Sequence, residues 1–161
     1  MPQTELIKFR SGQFWAVNTN FRIGPNAENG EADLMLIQTL FRYLSYSSTN
    51  TKGDLGFGDA DVPAVTGKFD AKTQAVIRRF QQKNAAKLLS ADGFVDPASY
   101  QGRQISVTHW ESLLPNPVQP VMTITLLHVY AWYAASRFDP TGNYIGSLAQ
   151  MTPQLRSWLY K

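Results

Sequence analysis

The feature that most constrains this chain is a motif that occurs twice, first from Gly67 to Gln81 and again, in shorter form, from Gly93 to Tyr100. Gly67, Phe69, Asp70 and Thr73 recur at the same spacing as Gly93, Val95, Asp96 and Ser99. In each copy a Gly permits a tight turn. An apolar residue then precedes an Asp suited to cap a helix, and a hydroxyl three residues on can bond back toward that cap. Pro97 suits the first helical position, where its missing N–H is no loss. Behind Asp70, the residues Val76, Ile77 and Phe80 share one face, while Lys72, Arg78, Arg79, Gln82 and Lys83 fall elsewhere. The spacing predicts an amphipathic helix on which the core packs.

Upstream, Phe14 to Ile23 alternates, with Trp15, Val17, Phe21 and Ile23 opposite Asn18, Asn20 and Arg22, and reads as a short strand. A turn cluster from Gly24 to Gly30 leads into a helix expected from Glu31 to Tyr46, with Glu31 and Asp33 acidic in its first turn. Its apolar residues form two stripes, Leu34, Ile37, Phe41 and Leu44 on one side and Leu36, Leu40 and Tyr43 on the other. A helix apolar on two sides needs two covers, and Val121 to Phe138 is expected to supply the second. Ser45 to Lys68, rich in Ser, Thr, Asn, Gly and Asp, reads as a long solvated loop that could rim a ligand groove. Its acids Asp54, Asp59 and Asp61 lack the spacing and closing Glu of a helix-loop-helix calcium site. Gln104 to Trp110 alternates again and is expected to pair with the strand near Trp15. In the uncharged stretch that follows, Pro115, Pro117 and Pro120 limit any helix, and Thr123, Thr125 and His128 mark it as buried and not a membrane span. Ser147 to Tyr160 should hold one or two short helices with Leu148, Met151, Leu155, Trp158 and Leu159 inward.

Composition narrows the function. A chain of 161 residues that is 43% hydrophobic and 12% aromatic is no disordered tail. Its net charge of +3 comes from scattered basic residues, which gives no footprint for nucleic acid. The absence of cysteine excludes disulfides, thiolate metal sites and a cysteine nucleophile. The two histidines, His109 and His128, do not stand at ligand spacing, so no metal and no cofactor is expected. His109 with Glu111 offers one imidazole and one acid but no complete catalytic set, and the chain is expected not to be an enzyme. Met1 to Arg10 lacks an apolar run behind a basic start, so no secretory leader is read there. Cytoplasmic synthesis is the expectation, with delivery to a wall by lysis or a specialised secretion system.

The residues Gly67, Phe69, Asp70, Thr73, Ala75, Val76, Phe80 and Gln81, then Leu88 or Leu89, then Asp92, Gly93, Val95, Asp96, Pro97, Ser99 and Tyr100 resemble the three-helix peptidoglycan-binding domain appended to many bacterial and phage cell-wall hydrolases. Ile37, Gln38, Leu40, Leu44 and Tyr46 are similar to its first helix, so the resemblance covers about Glu31 to Gly102. It implies a mainly α fold in one domain: a three-helix core over 31–102, a helical extension over 103–161 packed on it, and a small two-stranded clasp. The function implied is non-catalytic binding of peptidoglycan, targeting or anchoring a larger assembly. The alternative is a structural or protein-interaction part of a phage tail or secretion apparatus, meeting a protein partner through the C-terminal extension. Sugar sites combine aromatic faces with amide, carboxylate and guanidinium hydrogen bonds. The candidates are Tyr43, Tyr46 and Trp110, joined by Trp132 and Tyr133 as further aromatics, with Arg78, Gln81 and Asp92 as polar partners. Each also has a structural reading, since aromatics at helical spacing fill cores and Gln81 can bond a loop backbone.

Overall fold

The computed structural model describes residues 3–9, 12–47, 55, 57–85, 88, 91–97, 122, 124, 126–128, 130–131 and 144–159, and the chain is mainly α-helical. Its elements are β1 (Gln3–Phe9), β2 (Gly12–Asn18), α1 (Glu31–Ser47), α2 (Ala71–Lys83), α3 (Tyr144–Met151) and α4 (Arg156–Leu159), with 3-10 turns at Asp59–Asp61 and Pro153–Leu155. Residues 124, 126–128 and 130–131 are helical as well.

Helix α2 starts where its cap predicts. Asp70 Oδ1 accepts from the Thr73 N–H at 2.7 Å and from the Thr73 hydroxyl at 2.6 Å, satisfying a backbone donor that the first helical turn otherwise leaves unpaired. Val76, Ile77 and Phe80 are fully buried. At the other end Asn84 closes the helix, its backbone N–H and its side-chain amide both donating to the Phe80 carbonyl.

Helix α1 begins at Glu31 and runs one residue past Tyr46. Both of its apolar stripes are buried. On one side Phe41 meets Phe57 and Phe80 edge-on, with centroids 5.4 and 5.8 Å apart. On the side of Leu36, Leu40 and Tyr43, the Thr39 and Thr152 hydroxyls bond at 2.7 Å, and α3 and the Pro153–Leu155 turn lie against α1. Met122, Ile124, Leu127 and Ala131, from the segment expected as that cover, are buried in the same cluster as Leu36 and Leu40, so the C-terminal helices join it on this side of the core. Backbone bonds fix where this segment begins. Asp96 N–H donates to Met122 O and Ile124 N–H to Asp96 O, which ties the start of that segment beside the turn following α2. Tyr130 accordingly packs edge-on against Phe80 at 5.3 Å and donates its hydroxyl to Asn84 Oδ1 at 2.7 Å.

Two expectations are revised. The strand expected from Phe14 to Ile23 stops at Asn18, and Ile23 instead forms an isolated antiparallel bridge with Val95. Among the described residues β2 pairs with β1, antiparallel, with Phe9 opposite Gly12 and Gln3 opposite Asn18; Gln104 to Trp110, expected to pair with the same strand, lies outside the described residues, as does the helix expected after Pro97. The segment Ser45 to Lys68 is more than a solvated loop, because Leu55, Phe57 and Val62 from it are buried. Its 3-10 turn is pinned to α2 by an ion pair between Asp61 and Arg79. No helix among the described residues is long and apolar enough to cross a membrane.

Candidate functional site

Gln81 organises the turn that follows α2. Its side chain is buried, and both ends of the amide are used: Nε2 donates to Asp92 Oδ1 at 3.1 Å and to Phe94 O at 2.8 Å, while Oε1 accepts from the Gly93 N–H at 2.8 Å. Gly93 takes a φ of +83°, which glycine adopts freely. Asp92 Oδ1 also accepts from the Phe94 N–H at 2.9 Å, closing the turn from within.

The same device holds the turn before α2. Gln38, fully buried on α1, accepts from the Gly67 N–H at 3.0 Å and donates to Lys68 O at 3.0 Å, and the Lys68 N–H reaches Thr66 Oγ1 at 3.2 Å. Gly67 has a φ of +68°. The two-fold motif therefore extends to a buried glutamine on the preceding helix. It lies 29 residues before Gly67 in the first copy and 12 before Gly93 in the second.

The structure brings Arg78, Gln81 and Asp92 together. Arg78 is exposed on α2 and its side chain lies over Gly93, so that a Cβ there would stand 3.0 Å from Nε. Gln81 positions the turn and keeps no free amide proton. Arg78 and the half-buried Asp92 are the groups left at the surface beside it. Tyr43 is not part of this group; only 8% exposed, it belongs to the core. Tyr46 occupies the last turn of α1, and its side chain, with Trp110, Trp132 and Tyr133, lies outside the described residues.

Sequence reasoning missed two residues beside this turn. The Phe94 ring lies under the Arg22 guanidinium, 4.0 Å from Cζ to the centroid, and Arg22 Nε faces Asp96 Oδ1 at 3.0 Å. Arg22 carried a signal only as a polar residue on an alternating stretch. Burial raises the Asp96 pKa against the pull of Arg22, with Asp92 nearby pushing the same way as burial. His128 is fully buried, and desolvation lowers its pKa to about 3, which keeps it neutral. His109 and Glu111 lie outside the described residues. No group of three His, Cys, Asp or Glu among the described residues is placed to hold a metal ion.

A helix, a glutamine-clamped glycine turn, a capped helix and a second clamped turn make up one contiguous unit. Residues 30–101 match the family model described as Putative peptidoglycan binding domain. This peptidoglycan-binding-like unit contains α1, α2 and both clamps, whereas Arg22 and everything past residue 101 lie outside it. No curated protein and no solved structure matches the chain.

Proposed function

We propose that the chain binds bacterial cell-wall peptidoglycan without cleaving it, and so targets or anchors a larger assembly. The observation that carries this reading is the family match over residues 30–101. The geometry supports a contact surface around the Gly93 turn. Gln81 fixes the backbone there, Arg78 offers guanidinium donors, and Asp92 offers an acceptor through its second oxygen. Tyr46 and Trp110 remain the candidates for an aromatic face against a sugar ring.

Co-sedimentation with purified insoluble peptidoglycan tests the reading. The full chain should pellet with the wall, and Arg78→Glu should lower the bound fraction several-fold while leaving the melting temperature unchanged. A chain that stays in the supernatant would end the reading and move a protein-interaction role ahead of it. Dye release from labelled walls should stay at background; release abolished by Glu111→Gln would show instead that the chain is a hydrolase.

A further inference from the structure

We propose that Arg22 is a carboxylate-binding residue that takes the free carboxylates of peptidoglycan stem peptides. The inference rests on the peptidoglycan reading and adds to it a residue outside the matched unit. Its basis is how the guanidinium is held. The bridge between Ile23 and Val95 places Arg22 directly opposite Asp96, and Nε faces that carboxylate at 3.0 Å. The guanidinium plane rests over Phe94 at 4.0 Å. Among the described residues no hydrogen bond engages its two Nη groups, and the side chain is 46% exposed. One edge is anchored, one face is stacked, and the remaining edge of the fork is presented to solvent.

The backbone beneath Arg22 is fixed just as closely. The buried Asp33 accepts from the Asn20 and Phe21 N–H groups at 3.1 and 3.0 Å. Asn29 accepts from the Gly24 N–H at 2.9 Å and donates to the Gly24 and Ala27 carbonyls at 2.8 and 3.0 Å. Gly24 itself admits the Phe94 ring, since a Cβ there would stand 2.2 Å from a ring carbon.

A planar fork presented in this way matches a carboxylate with two parallel hydrogen bonds, and a side chain already immobilised loses little further entropy on binding. The neighbouring acids do not block it. Asp96 is paired with Arg22, and Asp92 Oδ1 is bound by Gln81 and the Phe94 N–H. Arg78 over Gly93 puts a second cation beside the same turn. With Arg22 and Arg78 balancing Asp92 and Asp96, recognition depends on hydrogen-bond geometry more than on net charge. A lysine is therefore a poor substitute.

The test is co-sedimentation of the full chain with purified peptidoglycan and with the same material after its carboxylates are converted to amides by carbodiimide coupling. The wild type should bind the amidated wall about tenfold more weakly, the scale of one lost charge-assisted pair. R22Q should bind both walls equally and at the weaker level, and R22K should recover only part of the difference. Equal wild-type affinity for native and amidated walls would overturn the inference and leave the peptidoglycan reading intact; so would an R22Q variant that keeps the preference. Failure of the wild type on the native wall would remove the reading and the inference with it. The comparison of the two walls uses only the wild-type chain, so a folding defect in R22Q cannot mask the answer.

Discussion

Phe80 touches three aromatic rings, Phe41, Phe57 and Tyr130, and has no exposed surface. Phe80→Ala should therefore destabilise the fold by about 3–5 kcal/mol through the cavity it leaves, measured by urea unfolding. Asp70→Ala should cost only about 1 kcal/mol, because a single cap is lost and the packing remains. His128 gives the acid response a distinct window. Its folded pKa of about 3 lies below the 6.5 of the unfolded chain, so as pH falls the unfolded state takes up the proton first. Stability from this residue is complete above about pH 6.5 and declines below it, by at most about 1.4 kcal/mol per pH unit. Asp61, held down by the Gly58 N–H and Arg79, and Asp70, where bonds from Thr73 outweigh burial, lose their contributions as pH falls below the usual 3.8; Asp33 and Asp96, raised chiefly by burial, instead gain stability as pH falls toward 3.8 and so work against the His128 decline. Unfolding compared at about pH 7 and pH 5 should show this decline, and His128→Gln should flatten it. At this scale the sequence was legible where partners are close along the chain, as for Asp70 and Thr73. It was silent on Arg22, whose ring and carboxylate partners stand at Phe94 and Asp96.

At the scale of elements, both glycine turns are clamped alike but should not tolerate change alike. Each holds a glycine in the left-handed region, where an alanine costs roughly 1–2 kcal/mol. A Cβ on Gly67 would also stand 2.6 Å from Glu31 Cγ and 3.0 Å from the Glu31 carbonyl, part of the backbone of α1. At Gly93 the nearest atom belongs to the Arg78 side chain, which is exposed and can swing aside. Gly67→Ala should lower the melting temperature more than Gly93→Ala, and the reverse order would show that the Arg78 contact is rigid. The turns and α2 were readable because caps, glycines and the 3.6-residue period are local signals. The shared clamp was hidden by the longer connection between Gln38 and Gly67. Strand β1 was missed because Arg10 and Ser11, which separate it from β2, carry none of the Gly or Asn that mark a short hairpin. The strand near Trp15 was read too long because Phe21 and Ile23 keep the alternation after the chain has left β2 for the Val95 bridge.

For the whole molecule the open question is whether the extension past Gly102 belongs to the core, and the contacts supply the argument. The buried cluster takes Leu36, Leu40 and Phe80 from the matched unit together with Met122, Ile124, Leu127, Ala131, Leu148 and Leu155 from beyond it. Polar bonds cross the same boundary at Thr39 with Thr152, at Asn84 with Tyr130, and along the backbone between Asp96 and the Met122–Ile124 segment. Removal of the extension would leave the side of α1 carrying Leu36, Leu40 and Tyr43 facing water, and would strip Phe80 of one aromatic neighbour. Monomeric proteins rarely leave contiguous apolar patches larger than a few hundred Å² uncovered. A chain ending at Gly102 should therefore aggregate or melt at least about 10 °C lower than the full chain, since each kcal/mol lost shifts the midpoint of a domain of this size by several degrees. Size-exclusion chromatography and thermal unfolding check this. If the shortened chain stays monomeric and equally stable, the extension is a separable arm, and binding of a protein partner becomes the better account of what it does.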